Sequence, residues 1–417
     1  MATTRTTPTA IAQRRLPPWS TRQARVIGTG QGHRVTSLVR TGSTTAAAAA
    51  ANPEASATTL RAQGPSGAVA TPGQPGALLR RIELAGGHLE LVQWGPPPAA
   101  PSPATGPAPS PRLLRVWLPP GYYDGPVAGT TRADLTAGDT PAATTKPPPP
   151  STLAPTPPAA GLLPTPAPAP ATPPPGGWPV LYLNDGQNLF DDRLSFSGHS
   201  WRVAQTASQL ISSGVLPGFV VVGLDHAGAR RSAEYTPVKP GTGPGGHRQD
   251  AAAWPGGEVD AYLDSVVQQV MPWAQQTYRV TNQAAKVAFG GSSFGAICTL
   301  CLCLRYPGLV GSTLIESPSC WIDEGRWFQE VLLKHRGPWP DKVWLAMGEA
   351  EHRGNPEAPL SRLLVGYATQ LSQHLSQQGL ALGQRQQLEL GPKAAHTESA
   401  WAERLPRALA FLGAHWR

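Results

Sequence analysis

Apolar and polar positions change rhythm along this chain of 417 residues. From Leu78 to Trp94 (LLRRIELAGGHLELVQW) they alternate with a period of two, and Leu113–Leu118 (LLRVWL) repeats the pattern; both predict β-strands with one buried face. After Trp178, short apolar runs replace the alternation: Val180–Leu183 (VLYL), Phe219–Leu224 (FVVVGL), Lys286–Phe289 (KVAF), Ser312–Ile315 (STLI), Val343–Met347 (VWLAM) and Arg385–Leu390 (RQQLEL). Between them lie five stretches with helical spacing, Trp201–Ser213, Glu258–Tyr278, Ala296–Tyr306, Leu360–Gln378 and Glu398–Leu412. Apolar strands that alternate with helices predict βα units and a mostly parallel central sheet flanked by helices, with the N-terminal strands as an antiparallel edge.

Composition sets the limits of this core. Of 48 prolines, 8 lie in Pro96–Pro111 and 16 in Gly125–Gly177. Such tracts carry too little apolar surface to offset backbone entropy, so residues 96–111 and 125–177 are expected to be disordered insertions rather than domains. Residues 1–77 read as a disordered tail. What remains within 78–417 is about 270 residues, enough for one well-filled core and one domain.

Charge narrows the partners. Seven of the 34 basic residues are arginines in residues 1–53, a stretch with no lysine and no acid; without them 27 basic residues face 26 acidic ones, and the formal charge of +8 falls to +1. The body therefore has no basic stripe, which excludes nucleic acid as the expected partner. The same segment is rich in Arg, Thr, Ser and Ala and has no apolar core of secretory length, so it reads as an organelle transit peptide, with abundant Ser and Thr favouring the chloroplast and the mitochondrion as the alternative. No run approaches ~18 consecutive apolar residues, so no membrane-spanning helix is expected. Three of the four cysteines, Cys298, Cys301 and Cys303, fall in one expected helix, and neither they nor Cys320 has the partners of a zinc site; they read as small buried hydrophobes.

The chemistry sits at Gly291-Ser292-Ser293-Phe294-Gly295, which fits the G-x-S-x-G pattern of a nucleophile elbow. In a chain this rich in glycine the bare pattern would arise by accident roughly 0.4 times, so its context decides. A short apolar strand precedes it and a helix closed by Pro307 follows, the strand–turn–helix arrangement that makes Ser293 a candidate nucleophile. A serine needs a base, and of the histidines downstream only His396 lies in a loop after the last strand and before the last helix; His374 falls within a helical run.

At these residues the chain resembles the esterase D-like branch of the α/β-hydrolases, which includes enterochelin-esterase-like enzymes, S-formylglutathione hydrolases, feruloyl esterases and mycolyltransferases. The resemblance is carried by VWLPPGYYDG, PVLYLNDGQNLFDD, RRSAEYTP, GGEVDAYLDSVVQQVMPWAQQTYRV, FGGSSFGA, ESPSCWID and AAHTESAWAERLPRALAFL, in the family's order and over nearly all of the expected core. It implies an α/β-hydrolase fold, with Ser293 as nucleophile and His396 as base. It also implies an oxyanion hole from the N–H of Phe294 and that of Gly186 or Gln187, and no metal or organic cofactor. Asp185, Arg231, Glu234 and Tyr235 become candidates for the substrate pocket, the last three on a loop; the alternative for that loop is a structural ion pair. The acid is left among three residues: Glu351, favoured because G-x-x-E matches the family's spacing, Glu349, and Asp323 one strand earlier.

Two departures stand out. The elbow reads GSSFGA where the family often has GSSMGG, and the normally short connection from PPGYYDG to WPVLYLNDG here exceeds fifty residues. Its ends can still meet, because loop-closure entropy grows only logarithmically with length. The expected activity is hydrolysis of a small carboxylic ester or thioester through an acyl-enzyme. The alternatives are transfer of the same acyl group to an alcohol, and a catalytically silent hydrolase fold that only binds.

Overall fold

A computed structural model of the chain describes residues 76–95, 112–123, 173–239 and 255–417. The transit-peptide segment, the insertion at 96–111 and nearly all of that at 125–177 lie outside the described residues.

Nine strands form one sheet: β1 (Ala77–Leu84), β2 (Gly87–Trp94), β3 (Arg112–Leu118), β4 (Val180–Asn184), β5 (Val220–Leu224), β6 (Val287–Ser292), β7 (Ser312–Glu316), β8 (Lys342–Gly348) and β9 (Gln386–Gly391). Their order across the sheet is β1-β2-β3-β5-β4-β6-β7-β8-β9. The pairs from β1 to β5 are antiparallel, and those from β5 through β4 to β9 are parallel. This is the α/β-hydrolase arrangement: a mostly parallel sheet flanked by helices, with an antiparallel edge.

Parallel strands covered on both faces alternate their side chains between two cores. Val180 and Tyr182 of β4, with Val343, Leu345 and Met347 of β8, face one core. Leu181 and Leu183, with Trp344 and Ala346, face the other. The first core is closed by α3 (Val259–Ser265), which runs through a π-helical turn at Val266–Val270 into α4 (Met271–Tyr278), and by α5 (Phe294–Arg305) and α7 (Pro359–Gln377). The second is closed by α1 (Val203–Ser212) and α8 (Glu398–Leu412). Each such residue taken wholly out of water contributes roughly 1.5–3 kcal/mol, which explains why these runs are apolar without interruption. All four cysteines are buried and free.

Two elements differ from the sequence reading. The run Leu78–Trp94 is a hairpin rather than one strand: Ala85 (φ 54°) and Gly86 (φ 74°) both turn through positive φ, the two-residue geometry whose twist suits antiparallel strands. Ala85 hides this turn, since Asn or Asp is the usual residue there. The segment RRSAEYTP is a one-turn helix, α2 (Arg231–Tyr235), rather than a loop; a second short helix, α6 (Arg326–Glu330), follows β7.

The two flanks of the long insertion meet. Tyr122, before it, packs on Trp178, after it, with ring centroids 5.7 Å apart. Tyr122 Oη donates to Tyr278 O at 3.1 Å, and Trp178 N–H to Arg279 O at 2.9 Å. Beside them the wholly buried Glu90 accepts from Tyr123 Oη (2.5 Å), Tyr278 Oη (2.7 Å) and Arg81 Nε (2.6 Å), so its carboxylate is fully engaged. Replacing residues 127–175 with a short Gly/Ser link is therefore expected to leave the fold intact. Shortening the closed loop about eightfold favours the folded state by roughly 2 kcal/mol. Calorimetry should show Tm unchanged or a few degrees higher, and a fall of many degrees would mean that the insertion itself holds the core together.

Candidate active site

The parallel strands turn their C-terminal ends to one edge, and β4 is the point where the strand order reverses, the place where open α/β sheets leave a crevice. Ser293 lies there, between β6 and α5, at φ 58° and ψ −121°. An L residue adopts this conformation only under strain, so the surrounding structure must impose it. The flanking glycines do so by close approach. A Cβ on Gly291 would lie 3.0 Å from the carbonyl carbon of Gly295, and one on either glycine would lie 3.1 Å from Asn184 Cβ at the end of β4. Ser293 N–H donates to Glu316 O of β7 at 3.0 Å, pinning the elbow to the neighbouring strand. Its Oγ lies 3.2 Å from Ser319 Oγ, its one side-chain hydrogen-bond partner among the described residues. Ser292, by contrast, is buried.

Two loops further along the edge are stitched together. Glu349 N–H donates to Gly391 O (2.9 Å) and Ala350 N–H to Ala394 O (3.0 Å), drawing the turn after β8 against the segment that leads to α8. At the end of those loops Glu351 Oε2 is hydrogen-bonded to His396 Nδ1. The other carboxylate oxygen accepts from Ser317 Oγ (2.6 Å) and Gly348 N–H (2.7 Å). Burial pushes the Glu351 carboxyl up, but the His396 ring, Ser317 and Gly348 outweigh it and hold the group below the usual carboxylate range. Its contribution to stability is thus complete above that range and lost as pH falls through the lowered value. His396 remains about one-third exposed.

The structure does not bring the other two acids to His396. Asp323 pairs with Arg326, three residues along an exposed turn. Glu349 is half-buried and engages its loop through its backbone.

Asp185 sits at φ 58° just after β4, opening a 3-10 turn at Gly186–Asn188 whose first N–H groups have no acceptor within the turn. Arg231 holds Asp185 through two hydrogen bonds of 2.7 Å, and Arg112 holds Glu234 at 2.8 Å. Tyr235 does not line the crevice: it is wholly buried, and its hydroxyl accepts from Asp185 N–H at 3.2 Å. Three of the four expected pocket residues therefore brace the loop by charge pairing, and the fourth supports it from the core. The Arg231 guanidinium still reaches the site, over the Phe294 ring at 5.6 Å. Gln187 Oε1 accepts from His226 N–H at 3.3 Å.

Sequence reading missed several side chains here. Asn188 Nδ2 donates to the buried Glu398 (3.0 Å), tying the turn after β4 to the helix that follows His396. Glu316 and Arg404, both buried, pair at 2.7 Å under the site, with Trp344 Nε1 donating to the same carboxylate at 2.9 Å. Ser317, Ser319 and Trp401 also belong to this group. A lone Ser or Trp at a strand end or in a helix carries no signal of such a role.

Over residues 163–412 the sequence matches the family described as "Putative esterase". The chain belongs to that esterase family. Its membership makes it a hydrolase of the ester-cleaving kind. This esterase is 23% identical over 237 residues to the "Uncharacterized protein YbbA" of Bacillus subtilis (strain 168), covering 57% of this chain and 86% of that protein. Similar solved structures include the BES protein from Bacillus cereus (TM-score 0.48, 15% identity, 80% of this chain and 98% of that one). They also include the siderophore hydrolase EstA from Aspergillus nidulans (TM-score 0.48, 16% identity, 77% and 94%). A third is the enterobactin esterase FES from Shigella flexneri (TM-score 0.43, 16% identity), of which the esterase spans 55%. Among the described residues, no helix is long and apolar enough to cross a membrane.

Proposed function

We propose that this esterase is a serine hydrolase that cleaves small carboxylic esters, or thioesters, through an acyl-enzyme on Ser293. The observation that carries the reading is the strained Ser293 backbone at the strand-to-helix turn, with a histidine–carboxylate pair at the same sheet edge. His396 takes the Ser293 proton on Nε2 while Nδ1–H stays with Glu351, and Oγ bonds to the carbonyl carbon. The tetrahedral oxygen is received by Phe294 N–H and by Gly186 or Gln187 N–H, donors fixed at the starts of helical turns and in place before charge develops. Collapse expels the alcohol or thiol, which takes the proton from His396. Water then repeats the sequence, releasing the acid and restoring Ser293. Before attack, Ser293 Oγ must exchange its contact with Ser319 for one with His396; such hydrogen bonds often form only with substrate bound.

Incubation of the full chain with a fluorophosphonate, followed by peptide mass spectrometry, is the direct test. One adduct on the peptide carrying Ser293 is expected, along with hydrolysis within a panel of p-nitrophenyl, feruloyl, acetyl-sugar, siderophore-lactone and glutathione thioester substrates. No adduct, or an adduct on another serine, would sink the mechanism. An acyl group found on an added alcohol rather than on water would reassign the enzyme as a transferase.

A further inference from the structure

We propose that Ser317, aimed by Trp401, is a positioning residue for the Glu351–His396 pair, an inference that rests on the reading of Ser293 and His396 above. Ser317 directly follows β7, is 1% exposed, and has φ 46°, a conformation in which glycine would be unstrained. Its N–H donates to Ala346 O of β8 at 2.8 Å, so the strained residue is clamped between the two strands that frame the acid. Strain retained at a buried position calls for a use of the side chain, and its hydrogen bonds supply one.

An indole N–H can only donate. Trp401 Nε1 must therefore give its proton to Ser317 Oγ, at 2.9 Å. The hydroxyl, its rotor thus fixed, turns its own proton to Glu351 Oε1 at 2.6 Å. With Gly348 N–H the second donor on Oε1, that oxygen is filled and Oε2 is left to address His396 Nδ1. Trp401 also stands edge-on to the His396 ring, centroids 5.2 Å apart at 86°, and is backed by Trp201 at 5.6 Å. One side chain thus walls the imidazole and orients the hydroxyl that orients the acid. The other charged groups packed under the pair, Glu316 from β7 and Arg404 from α8, neutralise one another.

Ser317→Gly and Trp401→Phe, made in the full chain, separate this role from support of the fold. Glycine relieves the backbone at residue 317, which offsets the acceptor that the buried Trp401 indole loses with the hydroxyl, so Tm should change by no more than a few degrees. The expected result is a kcat for a p-nitrophenyl ester lower by about tenfold to a hundredfold at unchanged KM, the scale of one lost hydrogen bond to a charged group. The acid limb of the pH–rate profile should also move to higher pH, because a carboxylate with one donor fewer directs more of its negative charge at the imidazole paired with it. Trp401→Phe, which keeps a ring against His396, should change both quantities in the same direction by less. A Ser317→Gly enzyme with the parent's kcat and acid limb would overturn the inference, whatever its Tm. Ser293→Ala assayed alongside isolates the underlying reading: activity persisting there would overturn that reading instead.

Discussion

Ser293→Ala should abolish fluorophosphonate labelling and lower kcat by five to six orders of magnitude, the loss seen when the nucleophile of a cooperating triad is removed. KM should change little, because the hydroxyl contributes to the transition state far more than to ground-state binding. The backbone makes a further variant informative. Alanine at φ 58° and ψ −121° is as strained as serine, whereas Ser293→Gly relieves the strain. The glycine variant should therefore be equally inactive but more stable, by about 1 kcal/mol or more. Ser292→Ala, altering the buried neighbour, should keep kcat within a fewfold. Substantial hydrolysis by the Ser293→Ala protein, measured by steady-state kinetics with labelling controls, would rule out the acyl-enzyme.

Glu351→Gln is expected to lower kcat by three to four orders of magnitude with KM and Tm nearly intact, as when the orienting acid of a triad is neutralised. The physical reason lies in the two donors, Ser317 Oγ and Gly348 N–H, that converge on Oε1. A glutamine in this setting must turn its carbonyl oxygen toward them, which places its NH2 against His396 Nδ1. The ring nitrogen then has to accept, its proton moves to Nε2, and the base can no longer take a proton from Ser293. Glu349→Gln and Asp323→Asn should leave kcat within about threefold, since Asp323 is engaged by Arg326 and neither carboxylate reaches the imidazole. A large kcat defect confined to either of those two would move the acid there.

The contrast between these acids shows where sequence reasoning runs out. Strands β4 to β8 were legible because each is covered on both faces and reads as an apolar run, and the long helices because their buried stripes repeat. The β1–β2 turn was not, since Ala85-Gly86 lacks the usual turn residue, and α2 and α6 are too short to show a period. Ser293 and His396 could be singled out because each belongs to a local pattern or a unique loop. The acid could only be narrowed to three, with Glu351 favoured on its spacing, because Glu349, Glu351 and Asp323 all lie near strand ends in the sequence. Which of them meets His396 depends on the pairing of residues 349–350 with 391–394, about forty residues apart in the chain. The Glu316–Arg404 pair spans 88 positions and has no local signature at all.

The meeting of Tyr122 with Trp178 bears on how such a chain can change. Whatever is inserted between them begins and ends at one spot, where the flanks are held by Glu90, Tyr278 and Arg279. Drift in the length of that segment is then expected to leave the edge that carries Ser293 unchanged, since loop-closure entropy grows only slowly with length. The same spot is a ready splice point. A second folded protein with neighbouring termini could be grafted there, with the strands that lead to Ser293, Glu351 and His396 left in register.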